Sequence, residues 1–300
     1  MRYGHFVLLC AVVLVMSLPI AAQPVCTQEM IRGTWVDSVQ GFFFINVPGS
    51  SQPVPAPMGG LGIFSIDSHG DFTAVSTGSV AGQIAAGKVA GTIQVSPDCT
   101  AKATFTMEVP GMLPPTPGVE TMVILDHGNE MWSMPTKDPL GPSVGVETLR
   151  RISLGEAYCF NNAVVGTFGV TYQGYAMTAV PGQSQPVPVP ISYVGNATVD
   201  SKGKLTGGGT YSVGGTIENV TLANATIQIK PDCTGIMEYR IVPLGSNQPL
   251  PGQGSDQFVA FENRDEIILM TAQGVFGGPV MLGSMKRIEK SSWDDRMPNP

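Results

Sequence analysis

The chain is poor in the residues that most chemistry requires. Of its 300 residues only three are histidine, at positions 5, 69 and 127, and charged side chains make up 13%. The formal net charge is −7, and one unit more negative without Arg2. Nucleic-acid binding needs clustered cations, so no nucleic-acid partner is expected. Aromatics reach only 7%, too few for the two interfacial girdles of a transmembrane barrel, so no membrane insertion is expected. Nowhere after residue 22 do apolar residues recur at i, i+3, i+4 and i+7, which predicts little helix. No CxxC pair, no GxSxG elbow and no His-centred triad is present. Gly-rich stretches such as 206–215 open no helix and so cradle no phosphate. No cofactor and no metal is expected.

The N-terminus reads as a leader. Arg2 and His5 precede an apolar run, 6–16, and Pro19, Ile20, Ala21 and Ala22 follow. This predicts a secretory signal over 1–22, cleaved near Ala22–Gln23, and hence a secreted or periplasmic protein. The run is short for a membrane span.

Glycine and proline are abundant instead, at 37 and 25 residues. They fall between runs of alternating apolar and polar residues, as turns do. The motif SQPVP occurs at 51–55 and again at 184–188, which signals an internal repeat. Cys26 with Gly33-Thr34-Trp35 matches Cys159 with Gly166-Thr167-Phe168, 133 positions on. SIDSHGDF at 65–72 matches TVDSKGKL at 198–205, and TIQVSPDCT at 92–100 matches TIQIKPDCT at 226–234. LDHGNEMW at 125–132 and LRRI at 149–152 match FENRDEII and MKRI, each 136 positions on. The order is kept and the spacing drifts by three, so a unit of about 130 residues is duplicated. The reading is one unit over 23–154, a second over 155–288, and a disordered tail over 289–300. SQPVP is read as one shared loop.

Each unit is β. In AKATFTMEV, Ala101, Ala103, Phe105, Met107 and Val109 alternate with Lys102, Thr104, Thr106 and Glu108, giving one buried and one wet face. Runs near 33–46, 60–66, 72–79, 88–95, 100–109, 119–126, 130–135 and 143–152 make about eight strands. The expected fold is all-β: two tandem antiparallel, up-and-down, eight-stranded β-barrels, with a β-sandwich as the alternative. The short link 153–158 brings the units into contact. Asp67-Ser68-His69-Gly70 and Asp200-Ser201-Lys202-Gly203 carry Asp first and Gly last, as type I turns prefer.

Four cysteines follow the leader. Equivalent placement in the two units pairs Cys26 with Cys99 and Cys159 with Cys233. The acidic pairs Asp126/Glu130 and Glu262/Glu266 recur, but flank a hairpin turn and read as solvated turn residues rather than catalysts, so no catalytic residue is assigned. Asn196, Asn219 and Asn224 match glycosylation sequons. The inward-facing candidates for contacting a ligand are Phe64, Phe105 and Met107 in unit one and Ala197, Met237 and Tyr239 in unit two.

The pattern resembles the calycin-type barrels. Lipocalins open their first strand with Gly-x-Trp and cover the Trp with an Arg from the last strand. Here Gly33-Thr34-Trp35 opens unit one, and Arg150 or Arg151 lies on its last strand. Unit two departs, with Phe168 for the Trp and Lys286-Arg287 for the Arg pair. The resemblance implies barrel closure by Trp35 with Arg150 or Arg151, and by Phe168 with Arg287. The chain is also similar to secreted bacterial proteins of unknown function that share an N-terminal Cys, Gly-Thr-Phe/Tyr, an Asp-x-x-Gly turn and PDCTG. These are allene-oxide-cyclase-like in outline. The resemblance bears on the fold; the lack of a repeated catalytic set and the closed apolar interior of a barrel predict a non-catalytic protein binding a small apolar ligand inside. A structural or envelope-associated protein with solid cores is the second reading, and a cyclase or isomerase acting at a barrel mouth the third.

Overall fold

The computed structural model describes residues 25–46, 52–153, 158–160, 163–179, 186–261 and 265–288. Barrel one consists of β1 (Gly33–Ile45), β2 (Val54–Ile66), β3 (Asp71–Val80), β4 (Gln83–Val95), β5 (Thr100–Val109), β6 (Leu113–Leu125), β7 (Glu130–Lys137) and β8 (Ser143–Ser153). Barrel two consists of β9 (Gly166–Thr178), β10 (Val187–Val199), β11 (Lys204–Val213), β12 (Thr216–Ile229), β13 (Thr234–Pro243), β14 (Gly254–Ala260), β15 (Glu266–Gln273) and β16 (Gly278–Arg287). In each, neighbours in sequence pair antiparallel and the last strand returns to the first, closing the barrel. Closure leaves no free sheet edge along the paired lengths. The leader, 1–22, the tail, 289–300, and Glu262 lie outside the described residues.

Period-two burial sorts side chains as the alternation predicts. Ala101, Ala103 and Phe105 of β5 are buried while Lys102, Thr104 and Thr106 are exposed. The turns are fixed by side-chain acceptors. Asp67 Oδ1 accepts from the His69 and Asp71 amides at 2.8 and 3.0 Å. Asp200 Oδ1 does the same for Lys202 and Lys204 at 2.8 and 2.9 Å. These bonds favour the ionised form and hold both carboxyls below the usual aspartate value, the amides being the main cause.

Three strands are longer than the runs suggest. β2, β4 and β6 begin at Val54, Gln83 and Leu113. SQPVP is therefore not all loop: Val54-Pro55 and Val187-Pro188 open β2 and β10, while Ser51 and 184–185 lie outside the described residues. Prolines survive there because of direction. Pro57 O accepts from the Ala81 amide at 2.9 Å, and Pro190 O from Gly214 at 2.9 Å. Both prolines thus turn their donorless nitrogens away from the paired neighbours β1 and β9, and no ladder bond is lost.

The segment before each barrel plugs one end. Cys26 is bonded to Cys99, and Cys159 to Cys233. Residues 28–31 form a 3-10 turn that buries Ile31 completely. Trp35 Nε1 donates to Ile31 O at 2.9 Å, and Arg151 donates to Met30 O. Its guanidinium lies over the Trp35 ring, 4.8 Å from the centroid. In barrel two Arg287 lies 4.8 Å from the Phe168 centroid and donates to Val165 O and Ala163 O at 2.8 and 3.3 Å.

Arg150 does something else. It leaves barrel one, meets Glu266 at 2.7 Å and covers the Phe261 ring at 4.8 Å. Around it Val36, Leu61 and Ile152 pack against Val259, Phe261 and Met270, joining the barrels through an apolar contact. Glu266 is therefore no solvated turn residue: only 9% of it is exposed. The hairpin composition gives no sign of this, because the covering surface comes from the other repeat. Glu130 stays at the surface, accepting from Trp132 Nε1 at 2.6 Å.

Each disulfide closes a loop of 73 or 74 residues, for which chain entropy gives about 4 kcal/mol. We expect the Cys26→Ser, Cys99→Ser double variant to lose about that much stability. Calorimetry should show a lowered transition for barrel one while barrel two, with its own bond, melts near its original temperature.

Candidate functional site

The inward faces of the strands fill the barrels differently. In barrel one Phe64 stacks on Phe72 with ring centroids 5.5 Å apart. Phe105 lies over Gly118, where even a Cβ would come within 2.4 Å of its ring. Met107, on β5, borders a cavity of about 140 Å3 with Phe64 and Phe105. In barrel two Ala197, Met237 and Tyr239 border a cavity of about 60 Å3. The small residues at 197 and 235 promise more room there than in barrel one. The structure puts Phe258 into it: a Cβ on Gly235 would lie 2.1 Å from that ring. Gly235 and Phe258 are cross-strand partners, as Ala101 and Met122 are in barrel one, so the smaller residue is balanced by the larger.

The cavity of barrel one is lined by acids as well as apolar groups. Asp37 from β1, Glu120 from β6 and Glu147 from β8 all reach it, with Asp138 beside them. Ser133 Oγ, on β7 between the last two, lies 3.1 Å from Glu120 Oε2 and 3.1 Å from Glu147 Oε2. One hydroxyl hydrogen serves only one of these contacts; the other needs a protonated carboxyl as donor. The electrostatics agree. Burial pushes the Glu147 carboxyl up to about 7. Burial, then the neighbouring Glu147 charge, raises Glu120 and Asp37 well above the ordinary carboxylate range. Asp37 is 6% exposed and its Oδ1 has no hydrogen-bond partner. Such a group is costly unless something pairs with it.

Barrel two keeps one of these acids. Asp256 of β14 stands where Glu120 stands in β6, 136 positions on, opposite Met237 as Glu120 is opposite Ala103. Its partners are aromatic: Tyr172 OH donates to Oδ2 at 2.6 Å and Tyr239 OH to Oδ1 at 3.4 Å. Burial raises Asp256 to about 6 despite these bonds. Tyrosine rings occupy the space that Val39 and Gly60 leave in barrel one, where Tyr172 and Tyr193 stand 133 positions on.

None of these acids was among the candidates, although the pattern holds them. Asp37 shares its strand phase with buried Trp35, Glu120 with Met122 and Ile124, and Asp256 with Phe258. An acid in phase with core residues marks an interior polar site. Among the described residues, no group of three or more His, Cys, Asp or Glu side chains is arranged to hold a metal ion. A crevice of about 800 Å3 also opens between the outer walls of the barrels, where Lys88, Glu108, Lys230 and Asp232 line it. No buried acid lines it.

No family model matches the chain, and no curated protein matches it. A beta-barrel-like protein of a domain of unknown function, DUF1849, from Brucella abortus aligns at 9% identity over 86% of this chain and 98% of that one, with a TM-score of 0.19. A porin-like protein from Bacteroides uniformis aligns at 9% identity over 85% and 97%, with a TM-score of 0.17. Neither score supports an inference about activity or ancestry.

Two measurements test the interior. Glu147 and Asp256 hold protons in the folded chain that they release in the unfolded one between their usual values, 4.5 and 3.8, and about 7 and 6. Their raised values stabilise the fold below that window and cease to do so as pH rises through it. We expect the melting temperature to fall by several degrees from pH 5 to pH 8, and Glu147→Gln to flatten the fall. Separately, Tyr172→Phe removes a buried bond to Asp256 and is expected to cost about 1–3 kcal/mol in denaturant unfolding.

Proposed function

We propose that this is an exported binding protein whose first barrel takes one small amphiphilic cation, an amine on a short apolar body. The observation that carries this reading is the unpartnered Asp37 carboxyl oxygen beside Glu120 and Glu147, in a cavity whose other walls include Phe64, Phe72, Phe105 and Met107. An ammonium group supplies several donors in one small volume and would satisfy that oxygen. The body would lie against Phe64, Phe105 and Met107. Size agrees: an apolar cavity of about 150 Å3 accepts benzene, and this one is about 140 Å3. Two disulfides suit an oxidising compartment, which supports export.

The second barrel takes the structural role in this reading. A space of about 60 Å3 matches about two waters in the liquid, far below an ordinary ligand pocket. Its acid is already paired with tyrosines. A purely apolar ligand is disfavoured in barrel one, because it would leave the buried Asp37 oxygen unpaired.

Titration calorimetry with a series of straight-chain alkylamines tests this. Saturable binding is expected, tightening as pH rises from 6 to 8, because Glu147 must release its proton to pair with the cation. Alcohols of equal length should bind weakly or not at all, and Asp37→Asn should weaken the amine by about tenfold, near 1.4 kcal/mol. Absence of saturable heat from every amine would leave the solid-core structural reading in its place.

A further inference from the structure

The contact between the barrels is not symmetric. Barrel one contributes the outer faces of β1, β2 and β8, and barrel two those of β14, β15 and β16. As repeats, each barrel also carries a copy of the face that the other uses. Val259, Ile268, Met270 and Leu282, in the contact, correspond to Val123, Trp132, Met134 and Val146 of barrel one, 136 positions back. All four counterparts are apolar and between 43% and 58% exposed. Conversely Leu61 and Ile152 correspond to Val194 and Ile288 of barrel two, which are 61% and 60% exposed. Exposed apolar side chains grouped on one face of a sheet, as Val123, Trp132, Met134 and Val146 are on β6, β7 and β8, mark an interaction site.

The charges correspond too. Arg150 and Glu266 form the ion pair of the inter-barrel contact. Their counterparts are Lys286 and Glu130, with both signs kept; Lys286 is exposed and reaches Glu266 of its own barrel only at 3.7 Å, on the oxygen that Arg150 already holds at 2.7 Å. Val36 and Ile63 correspond to Gly169 and Asn196, so the free face of barrel two keeps two of its four apolar positions, Val194 and Ile288, together with the charge of Lys286.

We propose that a second copy of this chain covers these faces, repeating between chains the contact already made between barrels. The β9–β10 face of one copy lies on the β6–β7 face of the next, with Lys286 against the partner subunit's Glu130. A head-to-tail contact of this type builds either a filament or a closed ring. Two contacts are those that a ring needs. Gln40 Nε2 donates to Gln173 O at 3.1 Å, and the rings of Phe42 and Tyr175 meet at 5.7 Å. Both join equivalent positions of the two repeats. Equivalent residues touch under a repeated operation only beside its axis, with little translation along it. Two chains, contributing four barrels, make the smallest ring that covers both free faces.

Light scattering on the intact exported chain after gel filtration is expected to give the mass of two chains. Trp132→Lys on one face and Val194→Asp on the other should each raise the dissociation constant about 30-fold or more, as loss of an interface anchor does. Glu130→Lys and Lys286→Glu should each dissociate the dimer alone. Mixed in equal amounts they should reassociate, since every Lys–Glu contact in the mixed dimer is again complementary. A chain monomeric at every concentration would overturn the proposal. So would a dimer indifferent to both face substitutions, or a mixture that stays apart.

Discussion

Each barrel rests on a guanidinium laid over an aromatic ring at its plugged end. A closed sheet satisfies its own backbone along the walls but leaves its ends open, and an apolar interior needs at least one end shut against water. Arg151 does this by lying on Trp35 while binding Met30 O, so the last strand, the first strand and the preceding segment become one unit. Cys26 anchors that segment to the β4–β5 turn. Arg287, Phe168 and Cys159 repeat the arrangement. A cation over a ring contributes about 0.5–2 kcal/mol, yet Ile31 and the core behind it keep their dry surroundings only while it holds.

Much of this was legible because it repeats. The cysteine pairing followed from equivalent spacing, and the eight strands from alternation and turn chemistry. The boundaries of β2 and β10 were not legible, since proline usually ends a strand and only the direction of Pro57 and Pro190 shows why it does not here. Glu266 was misjudged because its cover lies in the other repeat, beyond any local pattern. The interior acids were visible as a phase, and Glu120 and Asp256 as a matched position, but acidic residues suggest surface until a strand is known to face inward. Arg150 and Arg151, adjacent in sequence, take opposite sides of the wall, and only the register of β8 against β1 separates their roles.

The two interiors show how one fold supports two electrostatic solutions. Barrel one gathers three carboxyls, two of them sharing one serine, and leaves an oxygen of the third without a partner. Barrel two keeps a single carboxyl and surrounds it with phenols. The exchange is coordinated: where barrel one has Glu147, barrel two has Gly283, and a Cβ there would lie 2.5 Å from the Tyr172 ring. The glycine on one strand leaves space for the ring that satisfies the acid on another. Packing and charge thus changed together, which keeps the second core both filled and paired.

The prolines at the start of β2 and β10 have a consequence beyond the strands they open. β2 runs past the end of β3, and β10 past β11, so each exposes a short ribbon edge. On a bare edge the alternating amides would invite a foreign strand to zip on, the first step of aggregation. Along these overhangs the positions whose amides would face outward are Pro55 and Pro57, and Pro188 and Pro190. The edge offers acceptors without donors. The chain thereby carries its protection against misassembly in four ring-closed nitrogens.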